Sequence, residues 1–158
     1  MKNTTSLFTI IVIFLLSNVS IAAQDNMDFD GAKSAVFVEG LGNGITFTFN
    51  YDTRIANRLG FRAGIGYIGE VSDGGGVTSL PLMMNYLLGD RGNYFEIGAG
   101  ATLVTGDLFD RVVVFNFSFM YRRQPPNGGF MWKAGFAPIL TEGVFIPYFP
   151  GVSLGYSF

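Results

Sequence analysis

Side chains that could carry out chemistry are few in this chain. None of its 158 residues is histidine or cysteine. A histidine-activated serine and a histidine–aspartate pair that activates water are therefore excluded. Disulfides, thiolate metal sites and a lipid-modified cysteine are excluded as well. What remains is a set of three acids and three bases within segments of alternating polarity: Glu39, Asp52, Arg62, Glu96, Arg122 and Lys133.

This charged set allows two interpretations. The carboxylates Glu39, Asp52 and Glu96 could do acid–base work if they share one cavity. Alternatively, the three acids and three bases form a structural ion network, in which every buried charge is paired and hydrogen-bonded. The equal numbers favour the network, so we predict no enzymatic activity.

Two further patterns carry less information. The glycines at 64, 66 and 69 match the spacing of a dinucleotide-binding loop, but they lie in a predicted strand and open no helix that could hold a phosphate. Acids in predicted loops could bind calcium or bridge lipopolysaccharide through divalent ions, yet solvated turns carry acids without any metal. We therefore predict no metal site and no cofactor. The loop acids are Asp73, Asp107, Asp110 and Glu142.

The segments that position the charged set alternate between apolar and polar residues. In the clearest one, Phe115, Phe117 and Phe119 face one way, while Asn116 and Ser118 face the other. This period of two predicts β-strands. Five of them are ten or eleven residues long and three are seven or eight, close to the roughly nine to eleven of tilted strands that cross a bilayer. The eight predicted strands are 34–41, 45–52, 59–68, 78–88, 94–104, 113–122, 130–139 and 152–158.

Short turns rich in Gly, Asn and Pro separate these segments, which predicts antiparallel neighbours in an up-and-down meander. Eight such strands close into an all-β barrel, with the apolar face either outward in lipid or inward as in a soluble lipocalin-like carrier. Glycines share the face of the charged set, and the aromatic residues of each strand are out of phase with it. We therefore predict a transmembrane eight-stranded antiparallel barrel with a charged lumen. Pro81 and Pro138 interrupt two strands, where we expect a bulge or a local break.

Aromatic residues should gather at one rim of this barrel if the chain starts in the periplasm, because they close descending strands or open rising ones. Such a girdle is typical of a membrane interface. A plain hydrophobic core between two sheets is the alternative, but it gives no reason for tyrosines to collect at one end. The predicted girdle comprises Tyr51, Phe61, Tyr86, Phe95, Tyr121, Phe130 and Tyr156.

The first 23 residues are predicted to be a cleaved signal peptide, and residues 24–158 the barrel domain. Lys2 supplies the positive start, residues 7–16 the apolar stretch, and Ser20 and Ala22 the small residues before the cleavage site. A retained membrane anchor is the alternative, although the apolar stretch is shorter than the roughly 20 residues of a spanning helix. Export and a barrel together predict a location in the bacterial outer membrane.

The end of the chain resembles the C-terminal assembly signal of bacterial outer-membrane barrels. Leu154, Tyr156 and the terminal Phe158 match it. In size and layout the mature chain resembles small outer-membrane proteins of the OmpA-transmembrane and OmpX type. Residues 124–130 and 151–158 are similar to a group of outer-membrane barrel proteins from Bacteroidota. The resemblance implies that the barrel-assembly machinery recognises the last strand and that outer-membrane lipids surround the barrel.

The leading prediction is an integral outer-membrane barrel with a charge-plugged lumen and a structural or interaction role. A net charge of -2 without a basic run argues against nucleic acid as a partner. One alternative is a narrow transporter or a barrel that binds a small apolar or amphipathic ligand, which needs a lumenal gap among Glu39, Arg62 and Glu96. The soluble carrier requires the aromatic face to point inward.

Overall fold

The computed structural model describes residue 29 and residues 31–69, 75–106 and 109–158. The predicted signal peptide, residues 1–23, lies outside this part of the chain. Within the described residues no helix is long and apolar enough to cross a membrane. The 3-10 turn Gly42–Gly44 follows the first of ten strands found in these ranges. The strands are β1 (Ser34–Leu41), β2 (Phe47–Ala56), β3 (Leu59–Ile68), β4 (Val77–Asp90), β5 (Asn93–Gly106), β6 (Phe109–Arg123), β7 (Gly129–Phe136), β8 (Ile139–Thr141), β9 (Val144–Ile146) and β10 (Pro150–Ser157).

Across the described ranges, the strands make eight crossings of one closed antiparallel barrel. β1 pairs with both β2 and β10, so the sheet closes on itself. β7 and β8 keep one register against β6, where Phe119 pairs with Phe136 and Phe115 with Leu140, so they form a single crossing. β9 pairs with β8 and β10 with β7, and these two form the last crossing. The predicted all-β, eight-stranded up-and-down barrel is therefore confirmed.

Both strand prolines interrupt the hydrogen-bonded ladder, as expected. Pro81 pairs with Thr102 of β5, whereas the ladder between β4 and β3 lacks the pairs at Pro81 and Leu80. Pro138 separates β7 from β8, yet its carbonyl accepts the Phe117 amide at 2.9 Å. Since proline has no N–H to donate, each break is local: the register against β5 continues through Pro81, and the register against β6 is the same on both sides of Pro138.

Side chains alternate between the inside and the outside of the barrel along each strand. In β6, Phe115, Phe117 and Phe119 are exposed, whereas Asn116 and Ser118 are buried. The outer surface is therefore apolar, and much of the inner surface is polar. Other large apolar side chains on the outer surface are Val38, Phe47, Phe49, Ile65, Leu82, Ile97, Val113, Trp132, Val152 and Leu154.

Two aromatic side chains depart from the predicted separation of aromatic and charged faces. Phe37 shares the inner face of β1 with Glu39, and Tyr94 shares that of β5 with Glu96; both rings are 2% exposed. The prediction that aromatic residues are out of phase with every charge is therefore wrong for these two strands. Charged side chains alone do not fill an eight-stranded barrel, whose interior is packed with side chains, and these two rings supply part of the missing volume.

The two ends of the barrel differ in what closes them. We call the end where β1 begins, β10 ends and the turn at Asn57 lies the terminal end, and the end with Gly42–Gly44 and the β8–β9 hairpin the loop end. Near the loop end the inner face becomes apolar. Val104, Val114 and Ile139 are buried there in one cluster, against which Ile45 packs. The polar part of the lumen therefore lies between this apolar cluster and the terminal end.

Candidate functional site

All six residues of the predicted charged set lie inside the barrel. None of them is more than 1% exposed. Each comes from a different strand, because each inner face turns every second residue toward the same narrow space. In chain order β1, β2, β3, β5, β6 and β7 contribute Glu39, Asp52, Arg62, Glu96, Arg122 and Lys133.

Ion pairs divide this set into two clusters. In the first, Arg62 Nη2 lies 2.6 Å from Glu39 Oε1. In the second, Arg122 joins two acids, at 3.1 Å from Asp52 Oδ1 and 2.7 Å from Glu96 Oε2. Lys133 Nζ completes it, 3.0 Å from Glu96 Oε1. The structure therefore brings all six residues into ion pairs, which are stabilising inside a protein only with such close geometry.

The remaining strands satisfy the carboxylate oxygens that the bases leave open. Asn85 of β4 donates to Asp52 Oδ2 at 2.5 Å, and Ser153 of β10 donates to Glu39 Oε2 at 3.0 Å. Together with the ion pairs, these bonds give every oxygen of the three carboxylates at least one donor. Because every carboxylate oxygen already accepts a hydrogen bond from a side chain or backbone group of the barrel itself, the arrangement favours a structural network over acid–base work.

Arg54 is a lumenal cation that the sequence analysis missed. Its side chain is 2% exposed, and its guanidinium pairs with Asp52. Nη1 also donates to the carbonyl of Arg58 at 3.2 Å. The alternation of side chains could have identified Arg54, since residues 52 and 54 point to the same side of a strand. The predicted strand stopped at Asp52, whereas β2 continues to Ala56.

The turn Gly42–Gly44 folds into the barrel instead of lying on its surface. Asn43 is 0% exposed. Its backbone N–H donates to Glu39 Oε1 at 2.9 Å, and its side-chain oxygen accepts from Arg62 Nη1 at 3.2 Å. Its Nδ2 donates to the carbonyl of Phe117 at 2.8 Å, and its own carbonyl accepts from Thr102 Oγ1 at 2.6 Å. Asn43 therefore plugs the lumen by linking β1, β3, β5 and β6.

Backbone strain flanks this plug on both sides. Leu41 has φ of 60° and Ile45 has φ of 69°, in the left-handed region that non-glycine residues rarely occupy. Each such residue costs on the order of 1–3 kcal/mol and persists only where the surroundings impose it. The hydrogen bonds of Asn43 offset that cost, so the inward position of the turn depends on them.

Phe37 separates the two ion clusters. The guanidinium carbon of Arg62 lies 5.0 Å from its ring centroid, and Lys133 Nζ lies 4.3 Å from it. Both distances are within the range of cation–π interactions. A Cβ at Gly155 would overlap the Val36 carbonyl oxygen and the Cα and Cβ of Phe37, so the lack of a side chain there lets β10 lie close against β1 where Phe37 turns inward.

The residues of the predicted girdle and of the predicted assembly signal all point outward. Six girdle residues are exposed, and Tyr86 is half-buried. Strand pairing places Phe95 beside Tyr121 and Phe130 beside Tyr156. Leu154 and Phe158 are exposed as well. Their position suits both predicted roles, which stay predictions.

No metal site stands out in the part of the chain that the structure describes, where no group of three acidic, histidine or cysteine side chains lies close together. Of the loop acids considered from the sequence, Asp73 and Asp107 lie outside the described residues, and Glu142 is exposed. The glycines at 64 and 66 lie within β3, as the strand assignment predicted.

Comparison with known proteins adds no relative. No family model matches the chain, and no curated protein or solved structure matches it either. The fold and the lumen described above therefore carry the functional argument.

Proposed function

We propose that this protein is an integral outer-membrane β-barrel whose lumen is closed by its ion network and by the Asn43 turn. The observation that carries the proposal is the inverted distribution of side chains. Among the described residues, 32 large apolar side chains are exposed, whereas 12 hydrophobic residues are buried. Soluble monomers rarely expose contiguous apolar patches larger than a few hundred Å², so a belt around a whole barrel favours contact with hydrocarbon.

The backbone supports the same environment. A chain segment in hydrocarbon must satisfy every backbone N–H and C=O internally, and a closed barrel does so because it has no free edge. Here β1 and β10 close the sheet with seven residue pairs. The predicted signal peptide and the assembly signal at Leu154, Tyr156 and Phe158 favour the bacterial outer membrane in particular. Outer-membrane lipids and the barrel-assembly machinery are then its partners.

The contents of the lumen argue against the alternatives. A soluble lipocalin-like carrier would hold its apolar ligand among inward aromatic residues, but ion pairs occupy that space here. A transporter would need the gap among Glu39, Arg62 and Glu96, but Arg62 contacts Glu39 directly, and Lys133 and Arg122 cover Glu96. We propose a structural or interaction role without catalysis, with the outer surface and the loops as the parts that meet partners.

Membrane fractionation tests the location. We expect the protein to stay with the membrane after alkaline washing, to need detergent for extraction, and to migrate differently on gels before and after boiling. A soluble periplasmic protein of the same host serves as the control. Release by the alkaline wash would refute the proposal.

The single tryptophan of the chain offers a second test. Trp132 lies on the outer surface of β7 and is 36% exposed. In vesicles whose acyl chains carry bromine, its fluorescence should be quenched strongly, because the ring contacts the acyl chains. Equal fluorescence in brominated and ordinary vesicles would place Trp132 away from hydrocarbon.

A further inference from the structure

A cavity of about 360 Å³ lies at the terminal end of the barrel, next to the ion network. Its lining includes Phe29, Ile55 and Asn57, together with two charged residues, Lys33 and Arg54. Both are basic, and no acid is among the lining residues that the structure describes. The cavity is therefore positively charged in a chain whose formal net charge is -2.

Arg54 has a hydrogen-bond donor that nothing in the described part of the chain engages. Its terminal nitrogens bond to Asp52 and to the carbonyl of Arg58, but Nε has no partner. The side chain is 2% exposed. A buried donor of a charged group without an acceptor destabilises the protein, so an acceptor that reached Nε from the cavity would stabilise this end of the barrel.

The buried charges give a second and independent reason. Within the described residues, the lumenal network contains three acids and four bases, because Arg54 joins the predicted set. Asp52 serves two guanidinium groups, those of Arg54 and Arg122. One positive charge is therefore uncompensated, and a buried charge without a counter-charge is costly. Of the four bases, Arg54 is the one that lines the cavity, so an anion placed there would neutralise the surplus.

Lys33 lies where it can share such an anion. Its carbonyl accepts the backbone N–H of Arg54 at 2.8 Å, which holds the two residues side by side. Its side chain is exposed and makes no ion pair or hydrogen bond to the described residues. An ammonium group and a guanidinium Nε at one cavity are the donors that bind oxyanions in proteins.

We propose that this cavity binds a phosphate group, held by Lys33 Nζ and Arg54 Nε. Phosphate offers several acceptor oxygens and at least one negative charge, which meets both requirements at once. The group can belong to free phosphate or to a phospholipid headgroup, and Ile55, 56% exposed at the cavity, provides an apolar neighbour for a lipid. The site goes beyond the proposed function, because binding of free phosphate does not depend on the location of the barrel.

The test is a calorimetric titration of the purified full chain with inorganic phosphate, at low salt and in a maltoside detergent that has no phosphate of its own. Lys33→Gln should weaken binding about tenfold, the usual effect of losing one charge-assisted contact. Arg111→Gln removes one exposed arginine from β6, away from the cavity, and should leave the affinity unchanged. Lys33→Gln is the decisive variant, since Arg54→Gln also removes a partner of Asp52.

Further outcomes identify the source of the phosphate or overturn the site. If short-chain phosphatidylglycerol binds more tightly than free phosphate and displaces it, while an alkyl glycerol without phosphate does not, the natural source is a lipid headgroup. If phosphatidylglycerol does not displace bound phosphate, the natural source is a free anion. Equal affinities of Lys33→Gln and Arg111→Gln, or no phosphate binding at all, would overturn the site. Affinity that emerges only in an Asp28→Asn, Asp30→Asn double variant would also overturn it, since the chain's own acids would then be the occupants.

Discussion

The contact between Glu39 and Arg62 can be tested by a double-mutant cycle. Both side chains are at most 1% exposed, and Arg62 Nη2 lies 2.6 Å from Glu39 Oε1. With charge centres about 4 Å apart and an effective dielectric constant of about 20, the Coulomb attraction is about 4 kcal/mol. Removing either partner leaves the other charged and buried, which typically costs about 3–5 kcal/mol.

The single variants Glu39→Gln and Arg62→Met should therefore each lower the free energy of unfolding by about 3–5 kcal/mol. The double variant should lower it by clearly less than the sum, with a coupling energy of about 3 kcal/mol. Urea unfolding of the barrel in detergent, followed by Trp132 fluorescence, measures the free energy of unfolding of the parent, the two single variants and the double variant. Asp90→Asn and Arg91→Met at the exposed β4–β5 turn form the control cycle, with changes of about 0.5 kcal/mol or less.

A coupling energy below about 1 kcal/mol for Glu39 and Arg62 would refute the reasoning, because it would equal the value of a solvent-exposed pair. The lumen would then be wet enough to screen its charges. A loss in the double variant equal to the sum of the two single losses would refute it as well, since it would mean that each partner acts alone.

Further substitutions test the other parts of the barrel. Phe117→Arg on the outer surface should cost roughly 2–4 kcal/mol if the residue lies near the bilayer midplane, and folding yield in vesicles measures it; assembly equal to that of the parent would contradict lipid contact there. Asn43→Ala should cost about 2–4 kcal/mol in urea unfolding, because it leaves several buried partners unsatisfied; a change under about 0.5 kcal/mol would show that the turn is not held by its side chain. Gly155→Ala should cost about 1–3 kcal/mol by overlap with β1 at the Val36 carbonyl and at Phe37. Gly69→Ala, where a Cβ meets nothing closer than 3.5 Å, is the matched control, and equal costs would contradict close packing of β10 against β1.

Parity along the strands was enough to predict the inner residues of the charged set. A charge at Glu96 or Arg122 lies two or four residues from other inward positions, and the period of two carries that relation across a whole strand. This rule identifies an inward residue only if the predicted strand includes that residue. Arg54 was missed because the predicted second strand ended at Asp52, four residues before the end of β2.

The partners within the set were beyond the reach of the sequence. Whether Arg122 meets Asp52 or Glu39 depends on the stagger between neighbouring strands, and alternation says nothing about stagger. The sequence also does not show whether a turn points into the barrel or away from it. The residues Gly42–Gly44 predict a tight turn, and only the donors and acceptors offered by Thr102, Asn116 and Arg62 across the lumen draw Asn43 inward.

Each of the eight crossings contributes at least one polar side chain to the lumen, including Asn85 from β4 and Ser153 from β10. A slip of any strand by one residue would send its polar contribution to the outside and an apolar one to the centre. A barrel in which one crossing is missing or shifted therefore leaves charged groups that only water can satisfy. The polar lumen thus stabilises only the barrel in which all eight crossings are present and correctly aligned.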